Sequence, residues 1–203
     1  MTTTIIFDWG GVLIDNPADE LVNFCAKELN TTPFLLKPHL EKQLAKFQIG
    51  NVSESEFWIF ICIKLKLNPP TGTSLWKEAV KSLFKEKSKI FKLVKDLKSN
   101  GYQIGFLSNT EKPTQEHFYE MGYDNLFEHP TFSCEVGIAK PNSKIFQITL
   151  DNLNAKPQKT IFIDDKQEFT IAATKLGINT ITFTSPLQVI TELKNLGIKT
   201  HQS

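Results

Sequence analysis

Apolar and polar positions along this chain switch between two periods. Ile5-Ile6-Phe7 is a short β-favouring run stopped by Asp8 and by Gly10-Gly11. It predicts a buried parallel strand ending in a turn where backbone can approach a ligand closely. From Asp19 the period lengthens to that of a helix through Leu21, Val22, Phe24, Cys25 and Leu29, and Leu40, Leu44 and Phe47 continue it in a second helix. Ser53 and Glu56 make a capping-box pattern ahead of a third helix. There Phe57, Trp58, Phe60, Ile61, Ile63 and Leu65 form an almost all-round apolar surface, so that helix is expected to be covered on both sides. Pro69-Pro70-Thr71-Gly72 reads as a turn, and Leu75, Trp76, Ala79, Val80, Leu83 and Phe84 as a fourth amphipathic helix.

A β/α pattern resumes with Ile90, Phe91, Leu93, Val94 and Leu97, leading into a second strand over Tyr102 to Leu107. The alternation then stays regular. Helices are expected at Thr114 to Met121, Ser143 to Leu153, Phe169 to Leu176 and Leu187 to Leu196, with strands near Phe132, up to Ile163, and over Thr180 to Phe183. The fold expected is therefore α/β, a doubly wound parallel sheet formed by 1–14 and 87–203, with an all-helical cap at 15–86 inserted after the first strand. Four apolar runs end in polar groups: Asp8, then Ser108-Asn109, then Lys140 after Val136 to Ala139, then Asp164-Asp165. In open parallel sheets ligands sit beyond such strand ends.

Composition narrows the function classes. A net charge of +1 gives no long-range field that would recruit nucleic acid or membrane. The lysines between 77 and 98 are interrupted by Glu78, Glu86 and Asp96 and read as a solvated helix face. No basic leader precedes the first apolar run and no window is long enough to span a bilayer, so a cytoplasmic protein is expected. Three widely spaced cysteines fit neither a disulfide framework nor a zinc site; Cys25 and Cys62 read as core, and Cys134 has no paired histidine in sequence reach.

Taken in order, Asp8-Trp9-Gly10-Gly11-Val12-Leu13, Ser108-Asn109, Lys140 and Asp164-Asp165 resemble the four motifs of the haloacid dehalogenase (HAD) superfamily, specifically its phosphatase-like branch. The resemblance spans nearly the whole chain. It implies a Rossmann-like core whose helical cap excludes water from the site. It also implies that Asp8 is the nucleophile that carries a phosphoryl group as an aspartyl phosphate. Lys140 would then offset charge as the second catalytic group, while Trp9, Ser108 and Asn109 would hold the phosphate. Asp8, the Gly10 carbonyl, Asp164 and Asp165 would bind Mg²⁺, with Asp165 further from the ion. The partner implied is a small phosphorylated metabolite, a sugar phosphate by preference, without nucleic acid or membrane; the sequence leaves the oligomeric state unset.

Two positions depart from the family pattern. Gly10 stands where phosphatases of this superfamily usually carry a second Asp as general acid/base, and Phe169 stands where an Asn often follows the Asp pair. Metal binding is expected to survive the first change and proton transfer to weaken, with Asp15 and His39 as candidate relays. Two other readings stay open: a metal-independent 2-haloacid dehalogenase, and a catalytically impaired binding or regulatory protein.

Overall fold

The computed structural model describes residues 3–200; the outermost positions of the expected core segments, 1–2 and 201–203, lie outside the described residues. Five parallel strands form one sheet in the order β3-β2-β1-β4-β5. They are β1 (Thr4–Phe7), β2 (Gln103–Ser108), β3 (Glu128–Phe132), β4 (Thr160–Asp164) and β5 (Asn179–Thr182). The first strand lies at the centre because its side chains are apolar on both faces. Ile5 and Phe7 join one core with Phe106, Ile163 and Phe132, while Ile6 joins the other with Phe146, Leu107 and Phe162. Phe7 pairs with Phe106 on one side and Ile163 on the other, so three strands reach their carboxyl ends side by side at the reversal of strand order.

Four helices follow the first strand as the insertion: α1 (Ala18–Glu28), α2 (Pro33–Gln48), α3 (Glu54–Leu65) and α4 (Leu75–Leu83). They enclose a hydrophobic cluster of their own, built on Leu36, Phe47, Phe57, Trp58, Ile61 and Trp76. The capping box at Ser53 and Glu56 is formed. The two chain crossings into this layer run side by side, with Asp15 N–H donating to the Lys85 carbonyl (3.1 Å) and Lys87 N–H to that of Leu13 (2.9 Å). Around the sheet lie α5 (Ser88–Ser99), α6 (Lys112–Glu120), α7 (Ser133–Val136), α8 (Ser143–Asn152), α9 (Gln167–Thr174) and α10 (Pro186–Asn195). No helix among the described residues is long and apolar enough to cross a membrane.

Three expectations need correction. The third helix is not covered on both sides: Phe57, Trp58, Ile61 and Cys62 face inward, but Ile59 and Ile63 are 42% and 68% exposed. It lies at the outside of the helical layer, where one stripe suffices to hold it. Lys140 does not stand at a strand end either. The apolar segment before it begins at Val136, the last residue of the one-turn helix α7, which Gly137 stops in the left-handed region (φ +71°), and Ile138 and Ala139 continue as loop. Phe84 lies past the end of α4 in extended backbone and packs on Trp9 instead.

Candidate active site

The first strand delivers Asp8 to a nearly water-free position, where its side chain is 9% exposed. The Lys140 ammonium, 1% exposed, reaches in to donate to Asp8 Oδ1 at 2.7 Å, to Asp164 Oδ2 at 2.6 Å and to the Leu107 carbonyl at 3.2 Å. The rings of Phe169 and Phe162 stand 5.1 and 5.4 Å from the same nitrogen, so two aromatic faces complete its surroundings. Since Lys140 lies on a loop, something must fix that loop. The Asn109 carboxamide does so, its Nδ2 donating to the Lys140 carbonyl (2.9 Å) and its Oδ1 accepting from the Lys140 N–H (2.8 Å).

Charge here is unevenly matched. Burial pushes the Asp8 carboxyl up to about 7; Lys140 opposes that shift and the Asp164 charge adds to it. Burial works against the Lys140 charge, but the carboxylates of Asp8 and Asp164 outweigh it and hold the ammonium above its ordinary value. Burial, then Asp164, also raises Asp165. One cation thus faces three acids, and one carboxylate oxygen from each of Asp8, Asp164 and Asp165 lies within 4.8 Å of the others. Asp165 Oδ1 is buried without a hydrogen-bond partner. A hard divalent cation fits this donor set: it supplies the missing positive charge and gives the orphaned oxygen a partner. Asp164 is further oriented by the Lys166 N–H, 2.8 Å from its Oδ1.

Asp8, Trp9, Gly10, Ser108, Asn109 and Lys140 all line one pocket of about 340 Å³, closed above by α1, α2 and α4. A wider groove of about 710 Å³ beside Phe24 and Pro69 contains none of the motif residues. Within the pocket, Ser108 Oγ lies 3.0 Å from Thr110 Oγ1. The indole of Trp9 is turned away into an aromatic cluster with Phe84, Phe106, Phe118 and Tyr123, and its backbone hydrogen-bonds to Asp8. Asp15 and His39 do not line the pocket. The exposed Asp15 carboxylate is bound to Lys87 at 2.7 Å, which holds it below its ordinary value. Burial pushes the Cys134 thiol up to about 12, leaving it a poor nucleophile.

Sequence reading missed Glu111. It is 6% exposed and lines the pocket, accepting from Gln48 Nε2 of α2 (2.9 Å) and from the Thr114 hydroxyl (3.2 Å). Thr114 in turn accepts from the Trp76 indole of α4 (3.1 Å), so this acid ties two helices of the insertion to the end of β2. Burial raises its pKa, with these donors opposing. In sequence it looks like a solvated acid before a helix, and no periodicity marks it otherwise.

A family model described as haloacid dehalogenase-like hydrolase matches residues 5–183. Among curated proteins, the chain is 35% identical over 94 residues to a glyceraldehyde 3-phosphate phosphatase of Methanothermobacter thermautotrophicus. That match covers 45% of this chain and 42% of the relative, so the chain spans less than half of that protein's length. It is 26% identical over 194 residues to the sesquiterpene phosphatase astK of Aspergillus oryzae, covering 94% of each. A solved HAD family enzyme of Bacteroides thetaiotaomicron superposes with a TM-score of 0.76 at 23% identity, over 90% of this chain and 94% of that one. The same enzyme in complex with magnesium and inorganic phosphate gives 0.72 at 23% identity, over 91% of this chain and 95% of that one.

Two substitutions test this geometry. Gly11 has φ +87°, and a Cβ there would lie 2.2 Å from Asp165 Oδ2. Gly11→Ala should therefore cost about 1–3 kcal/mol in stability and weaken Mg²⁺ binding by about 10–100-fold in a calorimetric titration. Glu111→Gln keeps an acceptor for Gln48 and removes the ionisable group. Because the folded pKa of Glu111 is raised, its protonated state contributes stability that is lost as pH rises from the unfolded value through the folded one. Thermal unfolding should show the variant gaining on the wild-type protein as pH is raised above the ordinary carboxylate value.

Proposed function

The chain belongs to the haloacid dehalogenase-like hydrolase family, and on that footing we propose that it is a Mg²⁺-dependent phosphatase that cleaves a small phosphomonoester through an aspartyl phosphate on Asp8. The observation that carries this reading is the convergence of a buried carboxylate at the end of β1 with the Lys140 ammonium bonded to it, both lining one pocket with Ser108, and with the Asp164-Asp165 pair directly behind them. Similarity to proteins named as phosphatases, and to an enzyme solved with magnesium and phosphate, supports it.

Asp8, Asp164, Asp165 and the Gly10 carbonyl would hold the ion. Bound there, it would neutralise charge on the transferring phosphoryl group. An Asp8 oxygen attacks phosphorus, the bond from phosphorus to the ester oxygen breaks, and the alcohol departs with a proton from solvent. Water then attacks the phosphorus of the aspartyl phosphate, the bond to Asp8 breaks, a proton leaves to solvent, and phosphate and the free carboxylate are restored. Ser108 donates its hydroxyl to a phosphoryl oxygen. Asn109 acts as a positioning residue, since both ends of its carboxamide are spent on the Lys140 backbone. No side-chain acid stands at position 10, which biases the site toward leaving groups that depart without protonation; among sugar phosphates these are the anomeric ones. The two curated relatives name a polar and an apolar leaving group, so either ester class is compatible with them.

Phosphate release from p-nitrophenyl phosphate, sugar phosphates and nucleotides should require Mg²⁺ and stop on chelation. Asp8→Asn should lower the rate on the order of 10⁴-fold or more. Halide release from 2-haloacids that chelation leaves unchanged would establish the dehalogenase reading instead, and no turnover of either kind would establish a binding protein. A Cβ on Gly10 would meet nothing within 4 Å, so a side chain fits there. Gly10→Asp should raise turnover of alkyl phosphates by about 10²-fold or more while leaving p-nitrophenyl phosphate nearly unchanged. No gain with Mg²⁺ binding intact would remove the proton-transfer argument.

A further inference from the structure

Above the floor of Asp8, Ser108 and Lys140, the helical insertion contributes Leu21, Val22, Leu40, Leu44, Trp76 and Val80 to the pocket. All but Leu44 are less than 10% exposed, so they are the inner wall of the chamber rather than its rim. The charged residues of the insertion that line the same pocket, Asp19, Lys37 and Glu41, are exposed. Lys37 and Asp19 also pair with each other at 2.8 Å, with 48% and 79% of their side chains in solvent.

The polar groups that do lie deep are already engaged. Gln48 donates to Glu111, Thr114 to Glu111, and the Trp76 indole to Thr114. The Asn109 carboxamide is held at both ends by the Lys140 backbone, and Ser108 and Thr110 share a hydrogen bond. A polyol entering this chamber would give up water at each hydroxyl and find few free partners, a loss of about tenfold or more in kcat/KM per buried hydroxyl. A hydrocarbon loses nothing there and gains by leaving water.

We infer that the insertion selects phosphomonoesters whose alcohol portion is apolar, over those of sugars and other polyols. This rests on the phosphatase reading and deepens it, naming the class of leaving group that the chamber between α1, α2 and α4 receives. The missing acid at position 10 makes aryl esters the members of that class best suited to cleavage.

The test separates apolarity from leaving-group chemistry. In a series of 4-n-alkylphenyl phosphates from methyl to butyl, the phenol leaves with nearly constant basicity while the buried surface grows. With Mg²⁺ present, kcat/KM should rise about two- to fourfold per methylene until the chamber is full. A terminal hydroxyl on the same chain should cost about tenfold, and glucose 1-phosphate should be a poorer substrate than phenyl phosphate. Calorimetric binding of n-alkylphosphonates should show the same rise in affinity with length. A flat or falling series with glucose 1-phosphate preferred would overturn the inference while leaving the phosphatase reading intact. Absence of phosphate release from every ester, p-nitrophenyl phosphate included, would overturn both.

Discussion

One ammonium shared between two buried carboxylates is the interaction on which the site depends. Lys140 cannot be buried without Asp8 and Asp164, because an unpaired charge in that environment is too costly, and the lysine in turn opposes the rise that burial imposes on the Asp8 carboxyl. Three acids against one cation leave a deficit of positive charge, and a divalent ion is the natural remedy. The surroundings are arranged around this group: Asn109 fixes the loop, Phe162 and Phe169 cover the ammonium, and the Lys166 backbone steadies Asp164.

The sheet supplies the other half of the arrangement. A central parallel strand apolar on both faces must have neighbours on both edges, and in this order those neighbours are β2 and β4, so Ser108 and Asp164 emerge beside Asp8 without further design. The helical insertion enters and leaves through adjacent backbone segments and closes over the opening. Its links to the sheet side include polar ones, Gln48 to Glu111, Trp76 to Thr114, and Lys77 and Lys81 to Glu120, beside the packing of Phe84 on Trp9. Its inner wall is apolar. Attachment and recognition are thus handled by the same helices, and Trp76 takes part in both, its indole N–H bonded to Thr114 and its ring on the pocket wall.

Most of the architecture could be read from the chain because strands buried on both faces and amphipathic helices leave opposite periodicities, and because each motif residue but one stands where an apolar run stops. Lys140 is the exception. Val136 to Ala139 looks like a strand by composition, yet the backbone freedom of Gly137 ends a helical turn there, and apolar character does not distinguish the two. The exposure of Ile59 and Ile63 was equally hidden, since whether a helix has a second neighbour is decided by tertiary packing. Glu111 escaped for the same reason: its burial comes from Gln48, Thr114 and Trp76, two of them on helices remote in sequence. For Trp9, adjacency to Asp8 says nothing about which way a large ring turns, and only its packing partners show that the indole joins the aromatic cluster.

The position of β1 also sets how far along the chain its pairings must reach. Residue 4 pairs with residue 103 on one edge and residue 160 on the other, whereas β2 with β3 and β4 with β5 are close neighbours along the chain. The outer pairs close short loops, whereas the strand that joins them closes two very long ones, at a larger cost in chain entropy. Asp8 follows that strand directly, so the carboxylate, the Ser108 hydroxyl and the Lys140 ammonium meet only because segments remote in sequence are held side by side.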